Sequence, residues 1–154
     1  MIDIVDKQTR SRMMAGIKGK DTQPEVALRR ALHVRGFRFR LHSATVPGRP
    51  DLLFPKHRAV VFVHGCFWHR HTDCRYATVP ATRPEFWQAK FQANVARDST
   101  VRAALIEAGW RVATVWECAL RKTGKVQSTA ANLSDWLLSN EIQIEIGEKD
   151  AGSH

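Results

Sequence analysis

Cys66, His71 and Cys74 fall within nine residues, and the third cysteine of the chain, Cys118, lies just beyond an apolar segment that ends at Trp116. Three thiolates and an imidazole are the donor set that Zn²⁺ takes in a closed structural shell. The spacing between Cys66 and His71 is loose, and Cys118 joins the others only if the fold delivers it. His69 competes with His71 for the fourth position, and His64 is a more distant competitor. The opposing reading makes Cys66 and Cys118 small buried hydrophobes, a frequent use of free cysteine. Cysteines in a polar loop beside histidines fit that use poorly. An odd number of cysteines also speaks against a disulfide framework.

A second group could do hydrolytic chemistry. Pro50-Asp51 follows a turn and opens a short apolar segment, and Ala59-Val60-Val61-Phe62-Val63 follows it. This order resembles the PD-(D/E)xK nuclease layout, in which acids on two adjacent strands hold Mg²⁺ beside a scissile phosphate. The second segment supplies no acid, offering Phe62-Val63-His64 instead. By itself a Pro-Asp pair equally well begins a turn that Asp51 caps. A histidine base is physically sensible here, because its pKa lies near neutrality and it can take a proton from water.

These residues need elements to position them. Thr22 to Arg35 is predicted as a helix, with Thr22 as N-cap, Glu25 as its capping-box partner, Pro24 in the first turn and Gly36 as the stop. Phe37, Phe39 and Leu41 alternate with Arg38, Arg40 and His42, the period of a strand with one wet face. Asp51 to Phe54 reads as a short strand between turns, and Ala59 to Val63 as a strand buried on both sides. A polar, His/Cys-rich loop runs from His64 to about Pro80. Pro84 to Ala108 reads as helix, with a break near Asp98. Trp110 to Trp116 is a buried strand and Ala130 to Leu138 a closing helix. The expected fold is α/β: a mixed sheet flanked by helices, with a zinc-stabilised loop. Trp110, Trp116 and Trp136 are expected in its core.

The chain of 154 residues is read as one domain, with residues 1–20 a basic segment and about 140–154 a flexible tail. Lys and Arg outnumber Asp and Glu by 24 to 15, a net charge of +9 with a pI near 10.1. Such a surplus favours an anionic partner, nucleic acid ahead of a membrane surface, although it also serves solubility. No apolar stretch approaches the length of a membrane span, and the acidic N-terminus lacks a signal peptide's apolar core. The expected compartment is cytoplasmic.

Val46-Pro47-Gly48-Arg49-Pro50-Asp51, His64-Gly65-Cys66-Phe67-Trp68-His69 and Val79-Pro80-Ala81-Thr82-Arg83 resemble the very short patch repair (Vsr) endonuclease family. So do Glu85-Phe86-Trp87, Asn94-Val95-Ala96-Arg97-Asp98, Gly109-Trp110-Arg111-Val112, Val115-Trp116-Glu117-Cys118-Ala119-Leu120 and Thr9-Arg10-Ser11. The likeness runs over roughly residues 6 to 121. It implies a restriction-endonuclease-like fold, a structural zinc, and a Mg²⁺-dependent site that nicks 5′ of a thymine mispaired with guanine after 5-methylcytosine deamination. Asp51 matches the metal-binding aspartate, and Val63 a position offering its backbone carbonyl to the metal. His64 and His69 match catalytic histidines, His69 being the better candidate for activating water. Glu25 matches a helix acid that reaches the site. Cys66, His71, Cys74 and Cys118 match the zinc shell.

With that resemblance, Phe67, Trp68 and Trp87 are expected to push between base steps as a wedge. Met14 and Ile17 would press from the opposite groove, while Arg10, Arg12, Lys18 and Lys20 would hold phosphates. The implied partner is double-stranded DNA carrying a T·G mismatch; other mismatch-repair proteins are compatible with it, and a membrane is not. Two rivals are a nuclease of the same fold acting on matched duplex and a zinc-stabilised DNA-binding module without activity.

Overall fold

The computed structural model describes residues 22–151. Helix α1 (Gln23–Val34) is capped by the Thr22 hydroxyl, which accepts from the Glu25 N–H at 3.4 Å, with Pro24 in its first turn. Leu28, Ala31 and Leu32 form its buried face together with Glu25. Gly36, at φ +97°, supplies the left-handed residue that ends it.

Strand β1 (Arg40–Leu41) pairs antiparallel with β2 (Leu52–Phe54), which pairs antiparallel with β3 (Ala59–His64). The alternation from Phe37 to Leu41 therefore yields only two paired residues. Their partner is short, bounded by Pro50 and by a 3-10 turn at Pro55–His57, so Phe37 and Phe39 pack on Phe54 instead. The long helix α2 (Pro84–Glu107) then carries the chain to β4 (Arg111–Trp116), parallel to β3 with Ala59 opposite Arg111 and His64 opposite Trp116. The expected break near Asp98 is absent. Nothing there removes an N–H from the helical ladder, and Asp98 projects sideways into the site described below.

A 3-10 turn (Glu117–Leu120) leads into α3 (Thr123–Leu137), a helix beginning seven residues before the expected Ala130. The segment from about 140, expected as a flexible tail, is corrected: it supplies β5 (Gln143–Ile146), parallel to β4, and a last short helix, α4 (Glu148–Ala151). The physical reason is the open edge of β4, whose backbone groups need partners. The strand order is β1-β2-β3-β4-β5.

The fold is a mixed α/β one. Strand alternation sends Ala59, Val61, Ala113 and Val115 to a face covered by α1 and α3, through Leu28, Leu32, Leu133 and Trp136. Val60, Val112 and Leu53 face the other way, against Leu105 of α2. Trp116 and Trp136 are buried as expected, while Trp110 is partly buried under the Arg58 guanidinium. Because β2 covers β3 only as far as Val61, the last residues of β3 run beyond their neighbour. The cleft opens there.

Candidate active site and metal centre

Asp51 stands at the entrance to β2 with its carboxylate turned towards the free edge of β3. Its Oδ2 accepts the backbone N–H of Val63 at 2.6 Å. The Val63 carbonyl belongs to the same edge, since N–H and C=O of one strand residue point to one side. Burial, and then the neighbouring Glu25, push the Asp51 carboxyl up to about 7, against the pull of the Val63 N–H. Glu25, 2% exposed, binds Arg29 of its own helix at 3.2 Å and His42 Nε2 at 3.0 Å. The other nitrogen of His42 lies 3.7 Å from Asp51 Oδ1. Two crowded carboxylates beside an imidazole make a donor set suited to a divalent cation, whose charge would relieve their repulsion.

Across the cleft, His69 Nδ1 and Asp98 Oδ2 are 2.6 Å apart. With Nδ1 donating, His69 keeps Nε2 as a proton acceptor. His64 lies flat against His69, with ring centroids 3.9 Å apart and planes 6° from parallel, and its far side meets Trp116. Burial lowers the His64 pKa to about 3, with the His69 charge acting in the same direction. That shift favours the neutral form of His64 near neutral pH, with its ring packed face to face on His69. The pocket of about 250 Å³ between these groups is lined by Asp51, His64, His69 and Asp98, with Arg49, Arg97 and Arg102 supplying positive charge. A phosphate diester matches that lining.

Behind the histidines, Cys66, His71, Cys74 and Cys118 bring one ligand atom each within 4.8 Å of one another. Cys66 and Cys118 are buried, Cys118 Sγ is 3.5 Å from His71 Nδ1, and the Glu148 N–H donates to Cys118 Sγ. His71 stacks on Trp116 at 4.2 Å. Gly147 approaches it so closely that a Cβ there would sit 2.8 Å from the imidazole. Burial pushes the Cys66 and Cys118 thiols up, so thiolates would form there only with a cation among them. Between the competing histidines the geometry divides plainly: His71 joins the cysteines and His69 joins Asp98.

Phe67, Trp68 and Trp87 pack as a cluster with Phe91, with centroid separations of 5.1 Å for Phe67–Phe91 and 5.8 Å for Trp68–Trp87. All three are half-buried, and Phe91 is buried. Trp68 lines a pocket beside the cleft together with Glu25, His69 and Asn94, whereas Trp87 lines a separate pocket with Val79, Pro80 and Phe91. Arg10, Arg12, Met14, Ile17, Lys18 and Lys20, expected at the DNA, lie outside the described residues.

Two residues of the site had no role in the sequence reading. His42 was one of several polar residues on a wet strand face. Asp98 ends the run Asn94 to Asp98, and its residue type alone assigns it no task. A signal existed for it: Asn94 and Asp98 are four apart on α2 and share a face. Asn94 Nδ2 donates to the Trp68 carbonyl at 3.1 Å while Asp98 holds His69, so one helix face grips two consecutive loop residues.

Residues 2–76 match the family described as DNA mismatch endonuclease Vsr. The chain is 45% identical to the type II nicking enzyme V.XorIIP of Xanthomonas oryzae pv. oryzae, over 88% of this chain and 98% of the relative. It is 44% identical to the DNA mismatch endonuclease Vsr of Escherichia coli, over 95% of this chain and 94% of the relative. The type II nicking enzyme V.NmeAIP of Neisseria meningitidis is 39% identical over 79% of this chain and 86% of its own length. Among the described residues no helix is long and apolar enough to cross a membrane.

Proposed function

The chain belongs to the Vsr family of DNA endonucleases, and from that premise we propose that it nicks duplex DNA 5′ of a thymine mispaired with guanine, using Mg²⁺. The observation that carries the reading is the convergence of Asp51 and the Asp98–His69 pair on one arginine-lined pocket. Asp51 and the Val63 carbonyl would hold the cation, which supplies charge stabilisation at the phosphate when bound. His69 Nε2 takes a proton from the attacking water as its oxygen bonds to phosphorus and the phosphorus–oxygen bond to the leaving sugar breaks. Asp98 holds the imidazole in the required orientation and stabilises the imidazolium. His64 keeps the His69 ring from turning.

The Cys66, His71, Cys74 and Cys118 set has the chemistry of a structural Zn²⁺ site, being three sulfur donors and one imidazole nitrogen brought together by the fold. The reading takes the mixed sheet, extended at β5, as restriction-endonuclease-like, and the Phe67, Trp68 and Trp87 edge as the wedge that selects a weakened base step.

A second reading has one specific observation in its favour. Relatives at 45% and 39% identity are named type II nicking enzymes rather than mismatch enzymes. One assay decides between the two. Duplexes of identical sequence, carrying either a T·G or a matched T·A pair, are incubated with Mg²⁺ or with EDTA. Nicking of the T·G duplex alone, and only with Mg²⁺, is expected. Equal nicking of both duplexes would replace the mismatch reading with the matched-duplex one.

A further inference from the structure

The turn that delivers Asp51 carries a second charged side chain, and its backbone there is strained. Pro47 and Gly48 form the corner, with Gly48 at φ +80° and so close to α2 that a Cβ there would collide with Val101. Arg49 follows at φ +45°, a left-handed conformation that arginine rarely adopts. Pro50 comes next, and the proline ring presses the residue before it towards extended backbone. Arg49 is thus held in a region disfavoured on two counts. A turn that needed only its shape would be served better by glycine, which takes positive φ without a steric penalty.

Three other described arginines share this backbone conformation, and each has an intramolecular use for its guanidinium. Arg58 donates to the Ala108 carbonyl and lies over Trp110. Arg70 donates to the carbonyls of Phe67, Ala77 and Thr78, and Arg83 lies over Phe86. The exposed Arg49 side chain makes no hydrogen bond, ion pair or ring contact with any described residue, and Arg49 lines the cleft with Asp51 and His69. Strain kept at a cleft, with no internal partner to offset it, marks a side chain held ready for a ligand.

We propose that Arg49 is a catalytic residue of the nicking reaction, its guanidinium donating to a non-bridging oxygen of the scissile phosphate. This role rests on the Mg²⁺-dependent nicking given above and adds the group that meets the charge on the phosphate. One wedged turn presents Arg49 and Asp51 on either side of Pro50, whereas Arg97 and Arg102 project from regular turns of α2. The guanidinium stays charged and transfers no proton. Its hydrogen bonds strengthen as the attacking oxygen arrives and charge gathers on the non-bridging oxygens, so its contribution falls on rate more than on binding.

The test uses the full-length, zinc-loaded protein on the T·G duplex, and on the same duplex with sulfur replacing either non-bridging oxygen of the scissile phosphate. Arg49→Gly is the informative variant, because it relaxes the backbone while removing the guanidinium. Its melting temperature should match or exceed that of the wild type. Its T·G affinity without divalent cation should stay within roughly threefold, while single-turnover nicking slows about 10²–10³-fold. Arg49→Lys, which keeps the charge but not the planar fork, should recover only part of that rate. One of the two sulfur isomers should slow the wild type and Arg97→Ala alike, and the penalty should be gone in Arg49→Gly. A nicking rate for Arg49→Gly within about threefold of wild type would overturn the assignment. So would a loss of affinity as large as the loss of rate, a clearly lower melting temperature, or a sulfur penalty that the substitution leaves unchanged. If the wild-type protein does not nick with Mg²⁺, the nicking reading fails first, and this role with it.

Discussion

The two clusters of ligand-type residues are built from the same loop and differ in almost every physical respect. Residues 64 to 74 send His64 and His69 to the cleft and Cys66, His71 and Cys74 to the cysteine cluster. The cysteine cluster has three sulfur donors and one imidazole, with Cys66 and Cys118 buried and packed near Trp116, Gly147 and the Glu148 N–H, and with His71 and Cys74 part-buried at the wall of a neighbouring pocket. The cleft has carboxylates and imidazoles, and it is open enough to hold a phosphate. Four protein ligands of sulfur and nitrogen complete a structural shell, whereas carboxylate oxygens beside a phosphate-sized pocket suit a reacting site. The contrast also implies dependence in one direction. His71, two residues after His69, is held in the cluster, so losing the cluster should loosen His69, the proposed base, while losing His69 need not disturb the cluster.

The sharpest way to break that comparison is Asp51→Asn. Nicking should fall to background in a single-turnover assay, with the melting temperature and DNA affinity close to wild type, because a cation ligand goes and the arginine-lined surface remains. Near-normal nicking by this variant would remove Asp51 from the hard site. Cys118→Ser should cost both activity and fold. One Zn²⁺ per chain is expected in the natively purified protein, and the variant should lose it together with several degrees of melting temperature or more, since binding energy at such a site is folding energy. Metal analysis finding no zinc in the wild-type protein would end the structural half of the contrast.

His69→Ala tests the one-way dependence, and cleavage should slow about 10²–10⁴-fold with zinc fully retained. Zinc release on this change would place His69 in the wrong cluster. Asp98→Asn should be milder, roughly 10–100-fold in rate, because it alters how the base is oriented rather than removing it. A positioning role predicts that the pH–rate profile moves as well; an unmoved profile with a slower rate would point to loss of packing alone. The smallest effect on chemistry is expected for Trp68→Ala. An inserted aromatic returns about 1–3 kcal/mol per base stacked, and the base step opens most readily where pairing is already defective. The change should therefore weaken T·G binding well beyond matched-duplex binding in parallel titrations. Equal losses would make the aromatic cluster part of the core.

Much of this molecule was legible without coordinates because its strongest signals are local. Thr22 and Pro24 mark a helix start, Gly36 marks its end, and the apolar run from Ala59 allows only a buried strand. The ligand-type residues stood out by their chemistry alone, and motif order pointed to the family. Where interactions depend on segments distant in sequence, local signals failed. β1 shrank to two residues because its partner β2 is short, and β5 exists because β4 has an edge to fill. Neither fact is written in the residues of the strand concerned. The choice between His69 and His71 was likewise tertiary. Two histidines two apart are chemically equal until α2 brings Asp98 to one and the end of β4 brings Cys118 to the other. Residue types determined which chemistries this protein could carry. The packing of α1, α2 and the β3–β4 edge decided which side chains share a site, because a donor set is defined by ångströms in space and not by separation along the chain.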